Sequence, residues 1–103
     1  MGAVINMSPS TESNTPAIVT SGGNVISANG NRKGFMIQNV GTNALFVKFG
    51  SGASSTVFHA VLKGGTGDSD GNGGSISQME GVIFQGIISA TGTSPKMVVT
   101  ELT

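Results

Sequence analysis

Short runs of β-forming residues, each closed within a few positions by Gly, Asn or Ser, leave this chain almost no room for a helix. The runs read "PAIVT", "NVISA", "FMIQNV", "ALFVKF", "TVFHAVLK", "SISQM", "GVIFQGIISA" and "KMVVTEL", with punctuation such as "SGG", "NGNRKG" and "GTN" between them. Val, Ile, Phe and Thr suit a pleated, half-buried surface, and Gly and Asn clusters end it. No window places its apolar residues at helical spacing. The pattern predicts about eight short strands following one another in the manner of a meander.

Side chains alternate across a strand with period two, so each run also predicts its buried face. Phe35 and Ile37 share one face, with Met36, Gln38 and Val40 on the other. Leu45, Val47 and Phe49 oppose Ala44, Phe46 and Lys48; Phe58, Ala60 and Leu62 oppose Val57, His59, Val61 and Lys63. Several strands are therefore apolar on both sides. One side fills a sandwich, and the other forms a patch that a subunit interface would cover, which makes Phe46 and Phe58 candidate assembly contacts. The expected fold is all-β: an antiparallel β-sandwich, jelly-roll-like, with immunoglobulin-like and small-barrel topologies as alternatives. With no Trp and no Cys the immunoglobulin hallmark is missing.

One such domain is expected over residues 16–103. The preceding stretch, "MGAVINMSPSTESNT", lacks apolar periodicity and reads as an extended, flexible N-terminal arm over residues 1–15. It is either a frayed end or a strap across a neighbouring subunit, anchored by Val4, Ile5 and Met7.

Charge excludes several partners. Formal net charge is zero and only 10% of residues are charged, against roughly 25% in ordinary soluble domains, so no field attracts nucleic acid or an anionic membrane. Weak colloidal repulsion mildly favours association with other subunits. The absence of Cys removes disulfides, thiolate metal sites and a Cys nucleophile. Neither a secretory leader nor a stretch approaching the ~18 apolar residues of a membrane span is present, which predicts a protein kept inside the cell that makes it.

Candidate chemistry is sparse. His59 is the single histidine; it lies in "TVFHAVL" with no carboxylate near it in sequence, which predicts a structural strand histidine rather than a base. Arg32 and Lys33 are the one adjacent basic pair, placed in "ANGNRKGF" where Asn-Gly marks a tight hairpin; they are expected to solvate its tip or to contact a neighbouring subunit. "VLKGGTGDSDG" lacks the Lys-Ser/Thr of a phosphate loop. In "DSDGNG", Asp68, Asp70 and Asn72 match calcium-loop positions one, three and five, with Gly73 at six. Position twelve is Met79, and Glu80 comes one residue late. The stretch also misses the calcium-binding β-roll repeat, so an adaptable loop is expected, with a weak cation site at Asp68, Asp70, Asn72 and Glu80 as the lesser alternative. No catalytic residue and no cofactor is predicted.

The run "NRKGFMIQNVGTNALFVKFG", then "GGTGDSDGNGGSIS" and the closing "GVIFQGIISATGTSPKMVVTEL", resemble small structural proteins of tailed bacteriophages, over roughly Asn31 to Leu102. The resemblance implies a non-enzymatic virion component, foremost a capsid cement or decoration protein: a homotrimer bound to the major capsid protein on the capsid surface, made in the host cytoplasm. A tail-tip or fibre-associated module that binds a receptor or glycan is the alternative.

Overall fold

The structure, a computed structural model, describes residues 9–79 and 82–103. Eight strands follow in order: β1 (Ile18–Val19), β2 (Gly23–Ile26), β3 (Gly34–Asn39), β4 (Leu45–Phe49), β5 (Ala60–Leu62), β6 (Ser75–Gln78), β7 (Ile88–Gly92) and β8 (Met97–Leu102). Among the described residues there is no helix. The strands form two four-stranded antiparallel sheets, a first in the order β1-β8-β3-β6 and a second in the order β2-β7-β4-β5.

That order follows from one operation. β1 with β8, β2 with β7, β3 with β6 and β4 with β5 are the rungs of a single long two-stranded ribbon closed at the β4–β5 connection. Folding the ribbon across itself brings β3 against β8 and β4 against β7, which completes both sheets. This wrapping is the jelly roll. It corrects the meander expectation, because only β4 and β5 are both consecutive and paired. It also corrects the reading of "NGNRKG": this turn closes no hairpin but carries the chain from the second sheet to the first.

Alternation decides what fills the space between the sheets. Phe35, Ile37, Val47, Ile88, Ala90 and Met97 are 0% exposed. In register, Ile37 faces Val99 and Val47 faces Ala90. Each large apolar side chain of this kind contributes about 1.5–3 kcal/mol by leaving water. Phe49 closes one end of the core, edge-on to Phe35 at 6.1 Å and stacked with Phe84 at 5.5 Å.

Two runs are shorter as strands than their composition predicts. "GVIFQGIISA" enters the second sheet only from Ile88, because the carbonyls of Phe84 and Gly86 turn to the Arg32 guanidinium and are lost to a ladder. "TVFHAVLK" is a strand only over Ala60–Leu62. The Ser54 hydroxyl accepts from the amides of Thr56 and Val57 and bends the entry. His59 therefore precedes β5 rather than lying inside it, and its ring accepts the Phe49 amide at Nδ1, 3.1 Å, where the ladder ends.

The arm boundary also moves. Thr11 and Thr103 exchange main-chain hydrogen bonds at 2.7 and 2.9 Å, and the Ser13 amide donates to Glu101 O at 3.0 Å. Asn14 then bridges β8 with its side chain, donating to Val99 O at 2.8 Å and accepting from the Glu101 amide at 2.7 Å. Backbone pairing needs no apolar period, so the composition of "STESN" concealed it. Residues from Thr11 belong to the domain, whereas Val4, Ile5 and Met7 lie outside the described residues.

Candidate assembly surface

The second sheet presents an apolar centre on its outer face. Phe46 on β4 stands between Val61 of β5 and Thr91 of β7 in register. Phe58 leans over it with ring centroids 5.0 Å apart. Phe58 is 40% exposed, Val57 50% and Val61 52%, so the cluster is open to solvent. Beside Phe46 lies a recess of about 310 Å³ walled by residues 53–55 and 91–93. The wall is fixed by the buried Ser89 hydroxyl, which donates to Gly50 O at 2.6 Å and accepts from the Ala53 amide at 3.0 Å. Phe46 and Phe58, far apart in sequence, thus meet on one preformed face.

Arg32 and Lys33 part company. Arg32 is 2% exposed, and its guanidinium reaches four groups: Glu101 Oε2 at 2.8 Å, Ser27 O at 2.7 Å, Gly86 O at 3.1 Å and Phe84 O. It also lies over the Phe35 ring at 5.9 Å. The expectation of a solvated tip or subunit contact is wrong for Arg32, which fastens the turn to β8 and the 84–86 segment. A guanidinium suits the place because its planar fork can serve several acceptors at once. Burial pushes the Glu101 carboxyl up, but hydrogen bonds from Arg32, Ser13 and Asn29, with the Arg32 charge, hold it below its ordinary value. Lys33 is half-buried and donates to Pro9 O at 2.6 Å.

The glycine-rich loop is organised by its own amides. Asp70 accepts from the Thr66 amide at 2.9 Å, the Thr66 hydroxyl at 2.6 Å, the Gly67 amide at 2.8 Å and the Asn72 amide at 2.8 Å. These donors hold its carboxyl well below the usual carboxylate range, the Thr66 hydroxyl bond first among them. Asp68 is engaged by the Lys96 ammonium. Calcium requires six to eight oxygen lone pairs turned inward, and here N–H groups occupy the Asp70 oxygens. Glu80 lies outside the described residues, and among those described no group of three or more acidic or His side chains could hold a metal. Calcium is expected to give no saturable rise in melting temperature. Asp70→Ala should speed amide exchange at Thr66, Gly67 and Asn72. Because the folded-state pKa is depressed, Asp70's contribution is present above the ordinary Asp value and is lost only as pH falls through the lower folded value.

His59 is exposed and stacks on Phe49 at 5.2 Å, which with its Nδ1 bond gives it a structural task. Sequence reasoning missed Asn39, which is 2% exposed in "NVGTN". Its amide donates to Asn43 O at 2.8 Å and Leu62 O at 3.1 Å while accepting from the Gly41 amide at 3.0 Å, which fixes the β3–β4 turn. The recurrence of Asn, Gly and Asn around a turn was its available signal.

The chain matches no protein-family model, and no match was found among curated proteins or solved structures.

Proposed function

We propose that this chain is a non-enzymatic structural protein of a tailed-bacteriophage virion, a cement or decoration protein that binds across junctions of the major capsid protein. The observation that carries the proposal is the outer-face centre of half-buried Phe46 with exposed Phe58 and Val61, on a jelly roll whose loops are internally tied. An apolar patch held rigid before contact loses little conformational entropy on binding. The resemblance of the "NRKGF" to "VTEL" region to small phage structural proteins supplies the kind of partner. Many copies on the capsid surface, associated as homotrimers, would add association free energy against the pressure of packaged DNA. The segment holding Val4, Ile5 and Met7 would reach a neighbouring subunit by β-augmentation. No cofactor enters this mechanism.

A second reading is favoured by the cluster of polar connections at one end of the sandwich. There the Gly65 amide donates to Gly41 O at 2.9 Å and the Ser69 amide to Val40 O at 2.7 Å, while Lys96 meets Asp68. Such a tied loop group would suit a tail-tip or fibre module that binds a receptor or glycan.

Copy number separates the two readings: hundreds of copies per particle support cement, and a handful supports the tail. Within the cement reading, Phe58→Ser with Val57→Ser should lower capsid occupancy by about tenfold or more while melting temperature changes little, since both side chains are exposed and lie outside the strands. Unchanged occupancy would remove the patch from the mechanism. Deleting residues 1–8 tests the strap separately; empty capsids that bind the truncated protein as tightly as the full chain would exclude it.

A further inference from the structure

The apolar centre of the second sheet is flanked by lysines and, among the described residues, by no carboxylate. Lys48 follows Phe46 by two positions on β4, so it leaves the same face about 7 Å along the strand. Its Nζ donates to Ser51 O at 2.8 Å. Lys63 follows Val61 by two positions at the end of β5 and is exposed. Among the described residues neither lysine has an ion-pair partner. The described acidic residues lie elsewhere: Glu101 pairs with Arg32, Asp68 with Lys96, Asp70 is held within its own loop, and Glu12 is bridged through its backbone to Leu102 in the first sheet.

We infer that this face docks onto a protein surface that is apolar at its centre and acidic at its rim, and that it is not the face through which copies of this chain associate. A second copy placed face to face would set four ammonium groups around one apolar centre. Like charges that fall within the Debye length of about 8 Å at physiological salt are poorly screened, and unlike-charged rims steer the correct partner. Area points the same way. The exposed parts of Phe46, Phe58, Val57 and Val61 fall well short of the ~800 Å² per partner of a standard interface, so apolar contact alone does not sustain a free dimer. A partner that presents carboxylates and repeats in an array supplies what is lacking, through charge pairing and multivalency. The inference rests on the capsid reading only for the partner's name.

Two short synthetic peptides, one alternating Leu with Glu and one alternating Leu with Lys, serve as probes against the full-length protein observed by NMR. The Leu/Glu peptide should shift amides in residues 44–48 and 57–63, bind about tenfold more tightly than the Leu/Lys peptide, and weaken as salt rises. Lys48→Glu with Lys63→Glu, at a half-buried and an exposed position and with an unaltered circular dichroism spectrum as the control for folding, should reverse the preference. Phe46→Ser with Phe58→Ser should abolish binding of both peptides. Equal affinity for the two peptides, absence of binding, or an unreversed preference would overturn the inference. So would concentration-dependent self-association, seen by sedimentation velocity, that Phe58→Ser removes. In intact particles, carbodiimide coupling should join Lys48 or Lys63 to a carboxylate of the partner. A tail protein in that coupled product would defeat the capsid reading and leave this inference standing.

Discussion

Arg32→Ala should lower stability by about 3–5 kcal/mol, the range for breaking a buried ion pair by removing one member. The guanidinium side chain is 0% exposed and Glu101's is 15% exposed, so the carboxylate left behind has little water to turn to. The carbonyls of Ser27, Phe84 and Gly86 lose their donor in the same step. Unpaired buried acceptors cost about 1–3 kcal/mol each when water does not replace the donor, so the ion pair alone understates the loss. For a domain with a total stability of order 5–15 kcal/mol, this removes a large part of it. A denaturant midpoint that falls sharply at unchanged slope is the expected result. Arg32→Lys keeps the charge but not the fork, and should recover less than half the loss. Full stability in Arg32→Lys would mean that charge alone matters there.

The same pair gives a pH signature. Glu101's folded pKa is depressed, so its contribution is present above the ordinary carboxylate value and is lost as pH falls through the folded value. In Arg32→Ala the hydrogen bonds and charge of the guanidinium vanish while burial remains, and burial raises a carboxyl's pKa. The acid-side loss of stability that Glu101 causes in the wild type should therefore shrink or disappear in Arg32→Ala, whose stability should run flatter as pH falls below the ordinary carboxylate value.

Much of the core was legible because period two is a strong signal wherever one face is buried. Phe35 and Ile37, Leu45 and Val47, and Ala60 and Leu62 all point inward as their alternation predicts. Ribbon folding was less legible, since the same runs and turns serve a meander or a jelly roll, and only long-range pairs such as Ile18 with Val98 distinguish them. At the candidate surface Phe46 was visible as a surplus apolar residue, but alternation placed Phe58 with the inward Ala60 and Leu62; β5 begins only at Ala60, so Phe58 escapes that period and lies over Phe46 beside the Ser54 turn. Arg32 was misread for a physical reason. A basic residue beside Asn-Gly is usually a solvated tip, and what internalised this one was a set of backbone carbonyls with no residue-type signature.

Gly73→Ala should be the most damaging change in the loop that resembles a calcium site, although the loop is best explained without calcium. A Cβ at Gly73 would collide with the carbonyl oxygen of Asn39, a backbone atom at the end of β3 that cannot swing aside as a side chain can. Asn39 is itself pinned: its amide nitrogen donates to Gly74 O at 2.9 Å and its side chain holds the turn to β4. The clash must therefore displace a strand end, and overpacking of this kind costs about 1–3 kcal/mol or more. Gly71→Ala is the informative contrast. Gly71 has a φ of +82° but open space where a Cβ would go, so its substitution meets backbone strain alone, about 1–2 kcal/mol. If crowding governs this loop, Gly73→Ala lowers the denaturant midpoint more than Gly71→Ala and speeds amide exchange at Asn39. If backbone conformation governs it, the order reverses. In the first case the glycine at position six of the calcium-like pattern is required by the neighbouring strand and not by a metal, since it is what allows the loop to lie against β3.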